Sequence, residues 1–346
     1  MKSLITLSLI LFLSLTNMLF AKQVGFSQFQ LNKGEARQLQ ATLWYPTNLN
    51  TSQPSLVADN IAFAGTKVIK EATPSFLNNG GKRPLVMLSH GYRGSWRNLN
   101  WLATRLVQQG YLVAAVDHPG TTTFNTSSIQ AARWWQRPQD LSRLLDYLIA
   151  DKTWQKMLDE NNISAIGHSL GGWTVMQLMG AEFNRKDYLD DCQYHAEFRS
   201  CQIKDELGLS KALSDEPLNP SLRDTRFKKA VILDLGLARS FSKSSLNNIK
   251  TPTLILGAGI DIGDLPQAQE SGFLAEHQPL FKRQYKVYEL ATHFSFMQPC
   301  KTNAIAILEE ETPGDSIICK DGVGISRYDL HQQIFSDIEA FLQPAH

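Results

Sequence analysis

Gly167-His168-Ser169-Leu170-Gly171-Gly172 decides the reading of this chain. The segment follows the short apolar run Ile163–Ile166 (ISAI) and precedes the helix-compatible stretch WTVMQLMG. A strand that turns sharply into a helix around G-x-S-x-G holds its serine in strained backbone geometry. The small flanking residues let neighbouring chain pass close by. The hydroxyl then stands at the carboxyl end of a sheet, beside a helix N-terminus whose partial positive charge favours a developing anion.

Working outward, the same alternation of apolar run and amphipathic segment recurs. Runs at Leu85–Leu88, Leu112–Val116, Ala230–Leu233, Thr253–Leu256 and Tyr285–Leu290 flank or follow segments that read as helices near 97–110, 132–158, 169–181, 265–280 and 327–343. Strands buried on both faces read as unbroken apolar runs, so the pattern predicts an α/β fold with a mostly parallel central sheet covered by helices on both faces. Gln38–Tyr45 instead alternates polar and apolar residues, as a half-buried antiparallel strand does. The polar interval at about 183–225, with Pro217 and Pro220, interrupts the rhythm and reads as an insertion over the sheet. Residues 22–346 are therefore expected to form a single domain.

Composition bounds the function. Of 346 residues, 34 are Lys or Arg and 33 are Asp or Glu, and no basic block stands out. Nucleic-acid binding rests on clustered cations, so it is not expected. Met1-Lys2-Ser3 followed by the apolar Leu4–Phe20 and Ala21 reads as a signal peptide over 1–21, with an uncleaved anchor as the alternative. No later segment is long and apolar enough to span a bilayer, so the mature chain is expected to be periplasmic or secreted with no stable span. Its oligomeric state is not legible. In an oxidising compartment the four cysteines are expected to pair as Cys192–Cys201 and Cys300–Cys319, each bracketing a short polar segment. A zinc site would need a spacing such as C-x-x-C, and none is present.

The remaining chemistry is read at strand ends. Ser89-His90-Gly91-Tyr92-Arg93-Gly94 follows the LVML strand one unit earlier. An acyl-transfer enzyme needs two backbone N–H donors aimed at its oxyanion, and Tyr92 and Leu170 hold the two expected positions. His293, just past the last strand, is the expected general base. Asp261, five residues beyond the TLIL strand, is the expected acid. Asp234, which ends the preceding strand, and Asp264 remain alternatives. His118 at the end of its strand either shapes the pocket or is structural, while His90 and His168 belong to the turns. Trp101 and Trp173 read as core, whereas Trp134 and Trp135 either pack inside or line an acyl cleft with the insertion.

With LWYP, SHGYRG, DHPG, GHSLGG, GAGID and THF in this order, the chain resembles α/β-hydrolases of the dienelactone-hydrolase and platelet-activating-factor acetylhydrolase group. It is also similar to cutinase-like polyester hydrolases. The resemblance covers roughly residues 40–345 and implies Ser169 as nucleophile, His293 as base, and Tyr92 and Leu170 as oxyanion donors. The cutinase-like pattern implies Asp261 as the acid and the acetylhydrolase pattern implies Asp234. The implied activity is hydrolysis of short-chain acyl or lipid-like esters without metal or organic cofactor. Amide or thioester hydrolysis, and non-catalytic binding on the same scaffold, are the alternatives.

Overall fold

The apolar runs become strands because each has two faces to bury. In β5 (Arg83–Ser89), Leu85 and Met87 enter one core while Val86 and Leu88 enter another. In β6 (Leu112–Asp117) the same alternation separates Leu112, Ala114 and Val116 from Val113 and Ala115. Helices Arg137–Ala150 and Leu170–Met179 cover the first face, and helices Asn100–Gln108 and Arg327–Leu342 cover the second. A sheet covered on both sides has no solvated face, which is why its strands carry no polar alternation. A capping box between Ser326 and Asp329 starts the last helix, and Pro138 sits in the first turn of Arg137–Ala150, where its missing N–H costs nothing.

The computed structural model describes residues 23–343 except 52, 210–221 and 263–264. The expected signal segment 1–21 and Asp264 therefore lie outside the described residues. The remaining strands are β1 (Gln23–Leu31), β2 (Leu39–Thr47), β3 (Ser55–Val57), β4 (Thr66–Lys70), β7 (Leu158–His168), β8 (Phe227–Leu233), β9 (Thr253–Ile260) and β10 (Arg283–Thr292). They join one sheet in the order β10-β9-β8-β7-β5-β6-β2-β1-β4-β3. From β10 to β6 every pairing is parallel, and β2 then pairs antiparallel with both β6 and β1. β5 lies between β6 and β7, so the connections leave it in opposite directions. That switch point opens a crevice at the carboxyl ends of the strands.

Both disulfides are formed as expected, Cys192–Cys201 and Cys300–Cys319. The described part of the 183–225 interval carries helix Arg185–Tyr194, and Tyr188, Cys192, Cys201 and Leu207 pack into the first core. Trp101 and Trp173 are buried in the two cores, as their helical positions required. Trp134 is also core and not cleft lining. It is 1% exposed and packs at a tilt with its ring centroid 4.0 Å from that of Trp173, with Phe183 at its edge. Among the described residues, no helix is long and apolar enough to cross a membrane.

Candidate active site

Ser169 sits between β7 and helix Leu170–Met179 with φ +56° and ψ −124°. A non-glycine residue holds such a conformation only when its surroundings over-determine it. Here the Ser169 N–H donates to Leu233 O at 3.0 Å, while Gly172 N–H returns to Ser169 O at 2.8 Å. Two glycines make the turn possible. A Cβ on Gly167 would lie 2.0 Å from Gly171 O, and one on Gly171 would lie 2.0 Å from Ser89 O. The elbow is thus closed on itself and against the loop after β5.

That loop carries Tyr92. Its N–H and that of Leu170 have no acceptor among the described residues, and both residues line the same cavity as Ser169. The Tyr92 hydroxyl donates to the Glu206 carboxylate, which Arg93 also holds at 2.7 Å, so the loop is tied to the 183–225 segment.

His293 follows β10 in a short turn and is 7% exposed. Its Nδ1 lies 2.7 Å from Asp234 Oδ2. The other carboxylate oxygen of Asp234 accepts the Ala258 N–H at 2.9 Å. An Nδ1–H that donates to a carboxylate leaves Nε2 with a free lone pair, the arrangement a general base requires. His168, fully buried by the strand end, lies with its ring centroid 4.7 Å from that of His293, and its Nε2–H donates to the His293 carbonyl at 2.8 Å. Burial, then repulsion from His293, pushes His168 down to about 3, so it stays neutral and acts as a brace.

Asp261, the acid expected from the sequence, is not at this imidazole. Its carboxylate is exposed and accepts the Gln267 N–H at 2.7 Å. The reason is the length of β9. Gly257-Ala258-Gly259-Ile260 reads as a loop but continues the strand beside β10. Leu256 O is level with the Asp234 N–H, and β9 runs on to Ile260, opposite Thr292, before the exposed Asp261 carboxylate turns to the Gln267 N–H. Asp234 stands directly after β8, the neighbour of the serine-bearing strand.

Ser169, Leu170, Tyr92 and His293 open into a cavity of about 370 Å³. Ile203, Leu237, Leu265, Phe294 and Ile317 give it an apolar part of its wall, and Arg199, Ser200 and Asp315 a polar part. The two disulfide-anchored segments supply opposite parts of that wall, Arg199 to Ile203 from one and Pro313 to Ile317 from the other.

A second Ser–His–Asp chain lies beneath it. Ser89 Oγ is 3.0 Å from His118 Nε2, and His118 Nδ1 is 2.9 Å from Asp140 Oδ2. All three side chains are fully buried, so no substrate reaches them. Arg37 and Arg143 also bind Asp140, and Arg137 donates to Ser89 Oγ, Thr121 Oγ1 and the His90 carbonyl. Burial, then the Arg137 charge, lowers His118 to about 3. Burial also lowers Arg137, to about 9. This network fixes the start of the Tyr92 loop from below and makes His118 structural. Nothing in the sequence marked Arg137 or Asp140 beyond ordinary first-turn residues of a helix.

Asp117, at the end of β6, holds the chain just after that loop through Trp96 N–H to Oδ1 at 2.8 Å. Burial raises its carboxyl to about 7, against the opposing effects of that hydrogen bond and Arg97. The unfolded state therefore ionises first, and this residue removes stability progressively as pH rises from about 4 to about 7. Asp117→Asn keeps an acceptor for Trp96 and escapes the penalty. Thermal unfolding should show its advantage over wild type growing between about pH 4 and pH 7, by up to a few kcal/mol, and levelling off above that. An advantage independent of pH would contradict the burial argument.

With this geometry established, similarity to known proteins can be placed. A family model described as serine aminopeptidase, S33, matches residues 80–190, the stretch from β5 past the Ser169 elbow. Two cutinases of Thermobifida alba, est1 and est2, are each 28% identical over 95 residues, covering 27% of this chain. The matched stretch spans 29% of each cutinase. Among solved structures, a ferulic acid esterase from Streptomyces cinnamoneus superposes with a TM-score of 0.59 at 20% identity, covering 93% of this chain and 92% of that one. The chain has the α/β-hydrolase fold. The relatives found stand on the cutinase-like side of the sequence resemblance.

Proposed function

We propose that the protein is an exported serine hydrolase that cleaves carboxylic esters through an acyl-enzyme on Ser169. One observation carries the reading. A serine on a positive-φ elbow, two backbone donors without an acceptor among the described residues and a carboxylate-oriented imidazole open into a single cavity with apolar and polar walls. In this reading His293 Nε2 takes the Ser169 proton as Oγ attacks the ester carbonyl, and Leu170 and Tyr92 N–H stabilise the tetrahedral oxyanion. His293 then protonates the leaving alkoxide, and water releases the acid by the reverse route. Asp234 keeps the imidazole in the required tautomer and supports its positive charge. Two disulfides support an oxidising, periplasmic or secreted location.

The apolar wall and a volume of about 370 Å³ suit a short or medium acyl group or a lipid-like chain. The names of the cutinase and ferulic acid esterase relatives support ester chemistry. The serine aminopeptidase family match favours amide hydrolysis as the second reading. p-Nitrophenyl esters of graded chain length, tested beside matched anilides, thioesters and phospholipids, separate these. The expected result is the highest kcat/KM on short or medium acyl esters, with anilides far slower. Turnover of anilides or thioesters in preference to esters, or no turnover of any, would overturn the ester assignment.

A further inference from the structure

A second cavity, of about 520 Å³, lies on the β1–β2–β6 end of the sheet. Its floor follows from strand register. On one sheet face, Phe26 and Trp44 pack under Trp96, with ring centroids 5.3 and 5.7 Å from it. The same face continues as Gln28 opposite Thr42, then as Gln30 opposite Gln40, with Gln40 opposite Asp117. The side-chain type therefore switches from aromatic to uncharged amide within one pleat. Solvated sheet ends usually carry charged residues, and this recess has amides in their place.

Two of these amides are fixed by the sheet. Gln28 Nε2 donates to Thr42 Oγ1 at 3.0 Å and Gln40 Nε2 to Phe29 O at 3.3 Å, leaving each carbonyl oxygen available. The Gln30 and Gln38 amides have no hydrogen-bond partner among the described residues. The opposite wall is aromatic. Phe124 is 53% exposed, and the Arg97 guanidinium lies 4.5 Å from its ring centroid and 5.5 Å from that of Trp96. Among the described lining residues Arg97 is the only cation, and Asp117 faces it from the floor.

We infer that this recess binds a neutral polyhydroxylated ligand, a carbohydrate chain. Amides offer donor and acceptor side by side, which matches vicinal hydroxyls. The face of Phe124 that Arg97 leaves open covers the C–H face of a pyranose, and the guanidinium stacked on the ring bridges further hydroxyls. A lone cation held against two aromatic rings does not make an anion site, and the polar floor does not suit an acyl chain. The site is distinct from the Ser169 cavity, since the two share no lining residue.

Isothermal titration of the Ser169→Ala protein with cellohexaose, xylohexaose, maltohexaose and chitohexaose tests this without interference from hydrolysis. At least one hexasaccharide should bind saturably. Binding should weaken roughly tenfold or more on adding Phe124→Ala or Gln30→Ala, both replacements of exposed side chains. With Ser169 restored, the same replacements should leave hydrolysis of p-nitrophenyl acetate unchanged. Absence of saturable binding by any of the four would overturn the inference, as would binding that both replacements leave intact. So would binding of sulfate or phosphate, lost on Arg97→Ala, in place of the sugars. Because the titration uses protein lacking the serine, its outcome is independent of whether the chain hydrolyses esters.

Discussion

Replacing Ser169 by Ala should lower kcat/KM on the best p-nitrophenyl ester by about 10⁴-fold or more while leaving the unfolding temperature nearly unchanged. The two halves of this expectation have separate origins. Turnover collapses because the covalent step has no nucleophile, and oxyanion donors and binding alone sustain only a small residue of rate. Stability survives because the elbow is held by main-chain bonds, Ser169 N–H to Leu233 O and Gly172 N–H to Ser169 O, which alanine keeps. Alanine also carries the same Cβ through the positive φ, so backbone strain is neither added nor relieved. A variant that lost activity together with several degrees of stability would instead place Ser169 in the framework.

The second large effect separates two aspartates. Asp234→Asn should cost about 10⁴-fold in kcat, since an amide at 2.7 Å from Nδ1 favours the wrong imidazole tautomer. Asp261→Asn should change kcat/KM by less than about threefold, because the Gln267 N–H it accepts lies in an exposed turn and an amide oxygen can accept it too. Unfolding of the Asp234→Asn protein should remain cooperative, so that the loss is one of chemistry and not of fold. Equal and small effects at both positions would remove Asp234 from the reaction.

What the sequence revealed follows from where each signal is local. Continuous apolar runs identified the parallel strands β5 to β9, because a strand buried on both faces must be apolar at every position. The disulfides were legible since each closes a short segment, and the Ser169 elbow since a Cβ on Gly167 or Gly171 would fall 2.0 Å from a backbone oxygen of Gly171 or Ser89. The acid was not. Asp234 and Asp261 both follow apolar strands, and the choice depends on whether Gly257–Ile260 stops or extends the strand, which β10 decides from across the sheet. β1, β3 and β4 were also missed. β1 (QVGFSQFQL) carries polar residues on the face that forms the amide-lined recess, so its alternation lacks a clean apolar side. The buried chain Ser89–His118–Asp140 shows the same limit from the other direction. Residue types suited to catalysis lie at hydrogen-bonding distance there, and only the lack of an opening into the cavity distinguishes them from Ser169, His293 and Asp234.

Peptide mapping after treatment with a fluorophosphonate gives the most direct test. The account predicts one phosphonyl group per chain, on the peptide containing Ser169, with labelling abolished by Ser169→Ala and slowed severely by His293→Ala. Label on another residue of the native protein, or full-rate labelling of Ser169 without His293, would contradict it.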